Sequence, residues 1–520
     1  MKKVLVLTLV LVMAFASSAM ANIQFSGEFG AKVSQDVLTW TEEGAATWDI
    51  DESGDFGVLQ GKFGFSQNLK LNLKSSSDTW SLNVNLSNVT DFAKTDLPSS
   101  LLDGNAGYTL KVNDDLFNLT VWRGNTNNQG YVNDPFSLVR GRRAGASTIR
   151  VKAPVMDVAN VTLQLEPASS ILGFVTADIA GAEVGLALQR KFAGTNDTVV
   201  VHGAYDFDVA KVTVGGGISM ANAEGAAKLD DPFAYAVKVE VPVTEEISAE
   251  ASYVVKQNDW KGNGSNSAVA TVKGSYETDA IEVNGSVTTS GKQKNTPTTD
   301  DNRTTTFALD GTYNFTDDMN VGLAAEYKIE KDKVTFSDNN IKTAKVTLSG
   351  AAPVVEDLVS VDAELGYTFD NTGAIVVGTY IFDHTGHGEA AAVRDKASVY
   401  ALAKSLFEAE ASIKVTPIEK LTLTPAVAFK SFKDGLRDVA QAKEIHALRD
   451  VYHEDYYEDE NYTAGTILTL KADVAYAVGG GATITLSGGN HSYNFTEVGS
   501  NDDTFKYNNP FASVAVKVTF

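Results

Sequence analysis

Five arginines gathered in one stretch of an otherwise acidic chain are the residues best placed to do chemistry. Arg140, Arg142, Arg143 and Arg150 lie close together with Arg123 upstream, and the segment between carries Asp134 and Pro135. Guanidinium groups stay charged at any accessible pH and present planar forks to oxyanions. Held opposite carboxylates such as Asp134 across a narrow wet passage, they would create a transverse field that orders water and sorts ions. Turned outward, the same forks would grip the phosphates of a lipid headgroup. The residue types fit both arrangements.

Other clusters carry less. Asp450, His453, Glu454, Asp455, Glu458, Asp459 and Glu460 form an acidic run with three tyrosines. Carboxylates suit Ca²⁺ or Mg²⁺, but the run lacks loop-forming ligand spacing around a central Gly, and charge runs are usually solvated. His384 and His387 flank a turn-like Thr-Gly with no Cys or third His nearby, so no zinc site is assigned. The six histidines are scattered, and no Gly-x-Ser-x-Gly elbow is present to pair one with a nucleophile. No Gly-rich phosphate loop marks a nucleotide site. The sequence predicts neither an enzyme nor a bound cofactor or metal.

The elements that would position these residues are strands. Trp80, Leu82, Val84 and Leu86 alternate with Ser81, Asn83, Asn85 and Ser87. Val321, Leu323, Ala325, Tyr327 and Ile329 alternate with Gly322, Ala324, Glu326 and Lys328, and the same two-faced pattern recurs along the chain. Between alternating segments lie short acidic or Pro-marked turns, among them 206–208, 242–246, 278–279, 316–318, 353–357 and 416–419. Longer Gly/Asn/Asp-rich stretches separate those turns: 36–55, 123–147, 220–231, 257–267, 290–303, 330–341, 432–464 and 493–509. Aromatics such as Tyr205, Tyr276, Tyr313 and Phe315 stand beside the short turns. Two stretches, 389–396 and 435–452, have helical spacing and read as loop decoration.

The first 21 residues read as a secretory signal, with Lys2 and Lys3, an apolar run from Val4 to Phe15 and an Ala19-Met20-Ala21 cleavage site. The expected mature chain, Asn22 to Phe520, enters a strand at once and leaves no room for an amino-terminal plug. Cysteine is absent, so disulfides are not what holds an exported chain together. No stretch approaches the ~20 apolar residues of a spanning helix. The formal charge of −23 becomes −25 without Lys2 and Lys3, which argues against nucleic acid and predicts attraction of cations.

The chain ends on a clean alternation: Val514, Val516, Val518 and Phe520 on one face, Ser513, Ala515, Lys517 and Thr519 on the other. This resembles the closing strand of bacterial outer-membrane β-barrel proteins, the porin family among them. There a polar residue, a small residue, an apolar residue and a terminal aromatic are read by the barrel-assembly machinery, and Ser513, Ala515, Val518 and Phe520 match. The small position is Ala where the family more often has Gly. The resemblance implies one all-β domain over 22–520, an antiparallel up-and-down transmembrane barrel with short periplasmic turns and long extracellular loops. Spanning strands of ~9–11 residues predict roughly 24 strands, within about 18 to 26.

A porin-like chain would pass small hydrophilic solutes and ions by passive diffusion, surrounded by outer-membrane lipid. Porins fold one loop into the lumen and set wall arginines against carboxylates, so Arg123, Asp134, Arg140, Arg142, Arg143 and Arg150 become the pore-constriction candidates. Segments 123–147 and 432–464 are the candidate obstructions. Porins often associate as trimers, although nothing here identifies a homo-oligomer interface. The main rival is a surface-layer or adhesive protein built of sandwiches, which would need Pro/Ser-rich linkers that the sequence lacks; a barrel enzyme comes third.

Overall fold

The computed structural model describes residues 22–36, 39–41, 63–76, 79–86, 106–123, 135–138, 148–155, 158–166, 170–192, 196–221, 232–257, 260, 266–293, 302–331, 340–373, 375–383, 396–435, 462–498 and 501–519. Among the described residues the regular elements are 27 strands, β1 to β27 in chain order. The signal-sequence reading over 1–21 lies outside the described residues, as do the acidic run at 450–460 and the His384/His387 pair.

The strands pair antiparallel with their chain neighbours all the way round. β1 (Asn22–Asp36) pairs with β3 (Phe63–Ser76), and each following strand pairs with the next as far as β20 (Val359–Asp370). β20 pairs on to β23 (Ser405–Ile418), and the order continues to β27 (Asn501–Thr519). β27 then pairs back with β1, from Glu28↔Thr519 to Asp36↔Phe511, and the sheet returns to its start. Three strands stand apart from this ring. β2 (Thr39–Thr41) extends the pairing of β27. β21 (Ile375–Asp383) and β22 (Lys396–Ala403) form a hairpin of their own. Removing these three from the 27 leaves 24 strands in the ring, the number expected from strand length. Such closure pairs both edges of a long sheet, which would otherwise present open backbone groups.

At one end of the ring the strands are joined by turns of two to four residues. Side-chain oxygens hold them. Thr244 Oγ1 accepts hydrogen bonds from the N–H groups of Glu246 (3.2 Å) and Ile247 (3.0 Å). Thr278 Oγ1 accepts from Ile281 N–H at 3.0 Å, and Asp206 Oδ1 from Asp208 N–H at 3.0 Å. Asp208 takes φ 70°, a left-handed conformation that Asp tolerates better than most residues. Beside these turns Tyr205 and Phe207 meet edge to face with ring centroids 4.6 Å apart, and Tyr313 and Phe315 do so at 4.5 Å. The opposite end carries the longer connections, including 124–147, 222–232 and 434–461.

One expected loop is largely strand. Across 493–509, β26 (Ala482–Val498) and β27 run on, with only 499–500 between them. The Asn/Asp content suggested a loop, but the register sets Tyr493↔Tyr507 and Phe495↔Phe505 opposite one another, and aromatic cross-strand pairs favour a ladder.

Candidate functional site

Alternation sorts the side chains between two faces. On β10 (Ala182–Lys191), Val184, Leu186 and Leu188 are exposed while Gly185, Ala187 and Gln189 between them are buried. On β11 (Asn196–Asp206), Thr198, Val200 and His202 are buried and Val201 and Tyr205 exposed. On β18 (Met319–Glu330), Val321, Leu323 and Tyr327 are exposed on one face, and Glu326 and Lys328 occupy the other. The register keeps the faces consistent from strand to strand, with Gln189↔Thr198 and Glu326↔Lys345 on the polar side. The outer face is an apolar band and the inner face a polar wall. That inner wall is the candidate site.

Arg150 is on it. β6 (Asn118–Arg123), β7 (Thr148–Val155) and β8 (Ala159–Glu166) set Thr120, Arg150 and Gln164 side by side. Arg150 Nε and Nη2 both donate to Gln164 Oε1, at 3.1 and 2.9 Å. Gln164 Nε2 donates to Glu166 Oε1 at 3.1 Å, and Ser170 Oγ to Glu166 Oε2 at 3.3 Å. The guanidinium carbon lies 4.9 Å from the centre of the Trp122 ring, within cation–π range. Hydrogen bonds to a charged group are worth about 1.5–3 kcal/mol each, so this arginine is held in one orientation on the wall.

Two loop residues and one ring cover the neighbouring part of the wall, which begins at Leu172, the cross-strand partner of Gln164. Phe136 and Leu138 belong to the 124–147 connection, yet they are buried against Leu172, Phe174, Ala187, Val200, Ala234 and Ala236, all on the inner face, together with Trp260. Glycines make the room. A Cβ on Gly215 would lie 2.7 Å from Phe136 Cδ2, and one on Gly217 would lie 2.6 Å from Trp260 Cη2. At Gly185 a Cβ would lie 2.0 Å from the His202 ring, which stacks on Phe174 at 5.9 Å and has Glu183 Oε1 3.9 Å from its Nε2. Part of the 124–147 connection therefore lies inside the ring, seated in recesses where strand glycines let it approach.

A second inward element was not expected. The β21–β22 hairpin packs Ala401 and Ala403 onto Leu406, Phe432, Ile467 and Phe495, with Ile375 and Val377 against the cluster. Ala401 bridges to Tyr462 at the start of β25 (Tyr462–Gly479). Elsewhere the inner wall carries ion pairs: Lys238–Glu240 (2.9 Å), Lys273–Glu250 (3.1 Å), Lys328–Glu330 (2.6 Å), Lys430–Glu408 (2.8 Å) and Lys471–Asp473 (2.7 Å). Their side chains are substantially exposed, and such pairs contribute only about 0–1 kcal/mol each, so they pattern charge more than they stabilise. Glu364 and Glu410 stand directly opposite across β20 and β23.

Of the constriction candidates, Arg150 is placed by its contacts. Arg123 ends β6 paired with Tyr108, out of phase along the backbone with Thr120 and Trp122, which pair with Arg150 and Thr148. Asp134, Arg140, Arg142 and Arg143 lie outside the described residues. The chemistry-first reading of the sequence missed Phe136, Leu138, Trp260, His202, Gln164 and Glu166. The run Gly215-Gly216-Gly217 inside a strand was the available signal, because strand glycines mark close approach. In the closing strand Ser513 pairs with both Ser34 and Ser487, Ala515 with Lys32 and Thr485, and Val518 with Phe29 and Ala482. Phe520 lies outside the described residues.

No family model matches the sequence, and no curated protein matches it. Among solved structures the chain is similar to the siderophore receptor PirA from Pseudomonas aeruginosa, at 8% identity and a TM-score of 0.39, covering 95% of this chain and 80% of that one. It is similar to the ferric citrate transporter FecA in the unliganded form, at 11% identity and a TM-score of 0.46, covering 96% and 79%. A BenF-like porin from Pseudomonas fluorescens Pf-5 is similar at 8% identity and a TM-score of 0.32, covering 96% and 99%. These neighbours are outer-membrane barrel proteins, receptors and porins. At such TM-scores the barrel rests on this chain's own strand pairing.

Proposed function

We propose that the protein is an outer-membrane porin, a water-filled channel for passive diffusion of small hydrophilic solutes and ions. The observation that carries this reading is the sorting of side chains on a ring of strands paired back to its start: apolar residues outward, charged and hydroxyl residues inward. A bilayer core offers backbone groups no partners, and a closed ring supplies them from within. An outer band of exposed Val, Leu, Phe and Tyr is what hydrocarbon requires, and a polar interior is what permeating water requires.

The inward loop residues and the β21–β22 hairpin narrow a lumen that about 24 strands would otherwise leave wide. Arg150, with Asp134, Arg140, Arg142 and Arg143 as the further candidates, would form the constriction, whereas Arg123, out of phase with Arg150's partner Thr120, would face the other side of the sheet. The net acidic charge favours cations, and the protein acts without catalysis. Proteoliposome swelling with neutral sugars of increasing size tests the reading. Swelling that falls off with solute size supports a sized aqueous channel, and no swelling with the smallest sugar from inserted protein sinks it.

A further inference from the structure

At the loop end of the ring, three cations sit on adjacent rungs of the outer face. They involve β17 (Asn302–Thr316), β18 and β19 (Ile341–Val355). Arg303 is in phase with the exposed Phe307 and Leu309 on β17, and Lys342 with the exposed Val346 and Leu348 on β19. Lys331 follows β18, in phase with Tyr327 and Leu323, and its N–H donates to the Arg303 carbonyl at 2.8 Å, continuing the ladder one rung further. Arg303 and Lys331 therefore stand directly opposite. Lys342, which pairs with Ile329, is diagonal to Lys331. All three are exposed.

Beneath the cations the outward rungs are neutral, at Thr305, Ile329 and Ala344, and then aromatic: Phe307 and Tyr327 stack with centroids 6.3 Å apart. One strand further round, Lys404 Nζ lies 6.0 Å from the Phe369 ring centroid at the same end of the ring. The outer wall thus runs from cationic rim through an aromatic step to aliphatic side chains. Phosphate is a strong partner because Arg forks and Lys ammonium groups both make charge-assisted bonds to it.

We propose that Arg303, Lys331 and Lys342 bind the phosphorylated headgroup of an anionic lipid. Its acyl chains lie down the outer wall along Phe307, Leu309, Val346 and Leu348. The charge sequence of the wall matches that ligand from head to tail, and a soluble anion would leave the apolar portion unused. This inference rests on the reading of the outer face as lipid-immersed.

The test titrates diphosphoryl lipid A into the purified full-length protein in detergent and follows binding by native mass spectrometry. The wild type binds, and the Arg303→Gln/Lys331→Gln/Lys342→Gln variant binds about tenfold or more weakly, from loss of charge-assisted bonds. Arg190→Gln, which removes an exposed cation on β10 elsewhere on the ring, leaves binding unchanged. Heat-modifiable gel mobility shows that each variant is folded; if the triple variant is not, Lys331→Gln alone is read in the same way. Undiminished binding by the folded rim variant overturns the site, as do equal loss in Arg190→Gln and complete competition by inorganic phosphate. Single-channel recording separates this from the channel reading. Lipid binding without conductance would remove the channel and keep the site, and conductance without rim-dependent binding would do the reverse.

Discussion

The inner wall from β7 to β13 (Phe233–Pro242) and the inner wall from β15 (Asn266–Glu277) to β20 obey the same alternation but end in different environments. In the first arc Gln164 is 1% exposed and Thr198 2%. In the second the Lys273 side chain is 57% exposed and Lys328 36%. Nothing in the strands' own pattern separates them. What differs is the covering: toward the loop end Phe136, Leu138 and Trp260 pack over the first arc, and hydroxyls and paired charges line the second. Charges in the sealed arc act through a lower effective dielectric, so one arginine there can outweigh several carboxylates on the wet side.

The largest expected effect follows from opening the sealed arc. Replacing both Phe136 and Leu138 by Ala removes the side chains that seat the loop, each substitution costing about 2–5 kcal/mol of packing. Single-channel conductance is expected to rise about twofold or more as the constriction loosens, and the barrel to remain heat-modifiable. Unchanged conductance would show that the seal does not narrow the path. Gly215→Val reaches the same end from the wall, because its Cβ would lie 2.7 Å from Phe136 Cδ2.

Next is charge in the sealed arc. Arg150→Gln removes a cation fixed by Gln164 and leaves Glu166 unopposed, so the cation-over-anion permeability ratio should rise about twofold. A reversal potential that moves toward anions would contradict the assignment of Arg150 to the path. Smaller still is the wet side. Glu364→Gln together with Glu410→Gln should lower cation preference at 0.1 M salt and have little effect at 1 M, where the Debye length contracts from about 10 to about 3 Å. The Arg150→Gln effect should survive that change of salt. The smallest effect belongs to an exposed pair: Lys471→Ala should alter unfolding stability by no more than about 1 kcal/mol.

The barrel was legible in the sequence because its two signals are local. Alternation such as Val321–Ile329 needs only neighbouring residues, and turns such as Thr278-Asp279 hold themselves by side-chain bonds to their own backbone. The sealing of one arc was not legible, because it depends on where Phe136 and Leu138 meet strands that come tens of residues later. Gly215 and Gly217 hinted at close approach without naming the partner. The β21–β22 hairpin was hidden for a related reason: its apolar residues cover the inner wall, so it follows the barrel's strand pattern without entering the ring. Segment 493–509 misled in the opposite direction, since Asn and Asp there belong to paired strands. Of the clustered arginines, Arg150 is fixed by the strand register itself, whereas Arg140, Arg142 and Arg143 belong to a stretch of sequence without alternation and lie outside the described residues.

On the proposed function, the polar interior of the ring is a conducting path. Purified protein in a planar bilayer under a salt gradient tests it most directly. Discrete ohmic steps with a reversal potential biased toward cations are expected. An absence of steps from protein shown to be inserted would contradict it.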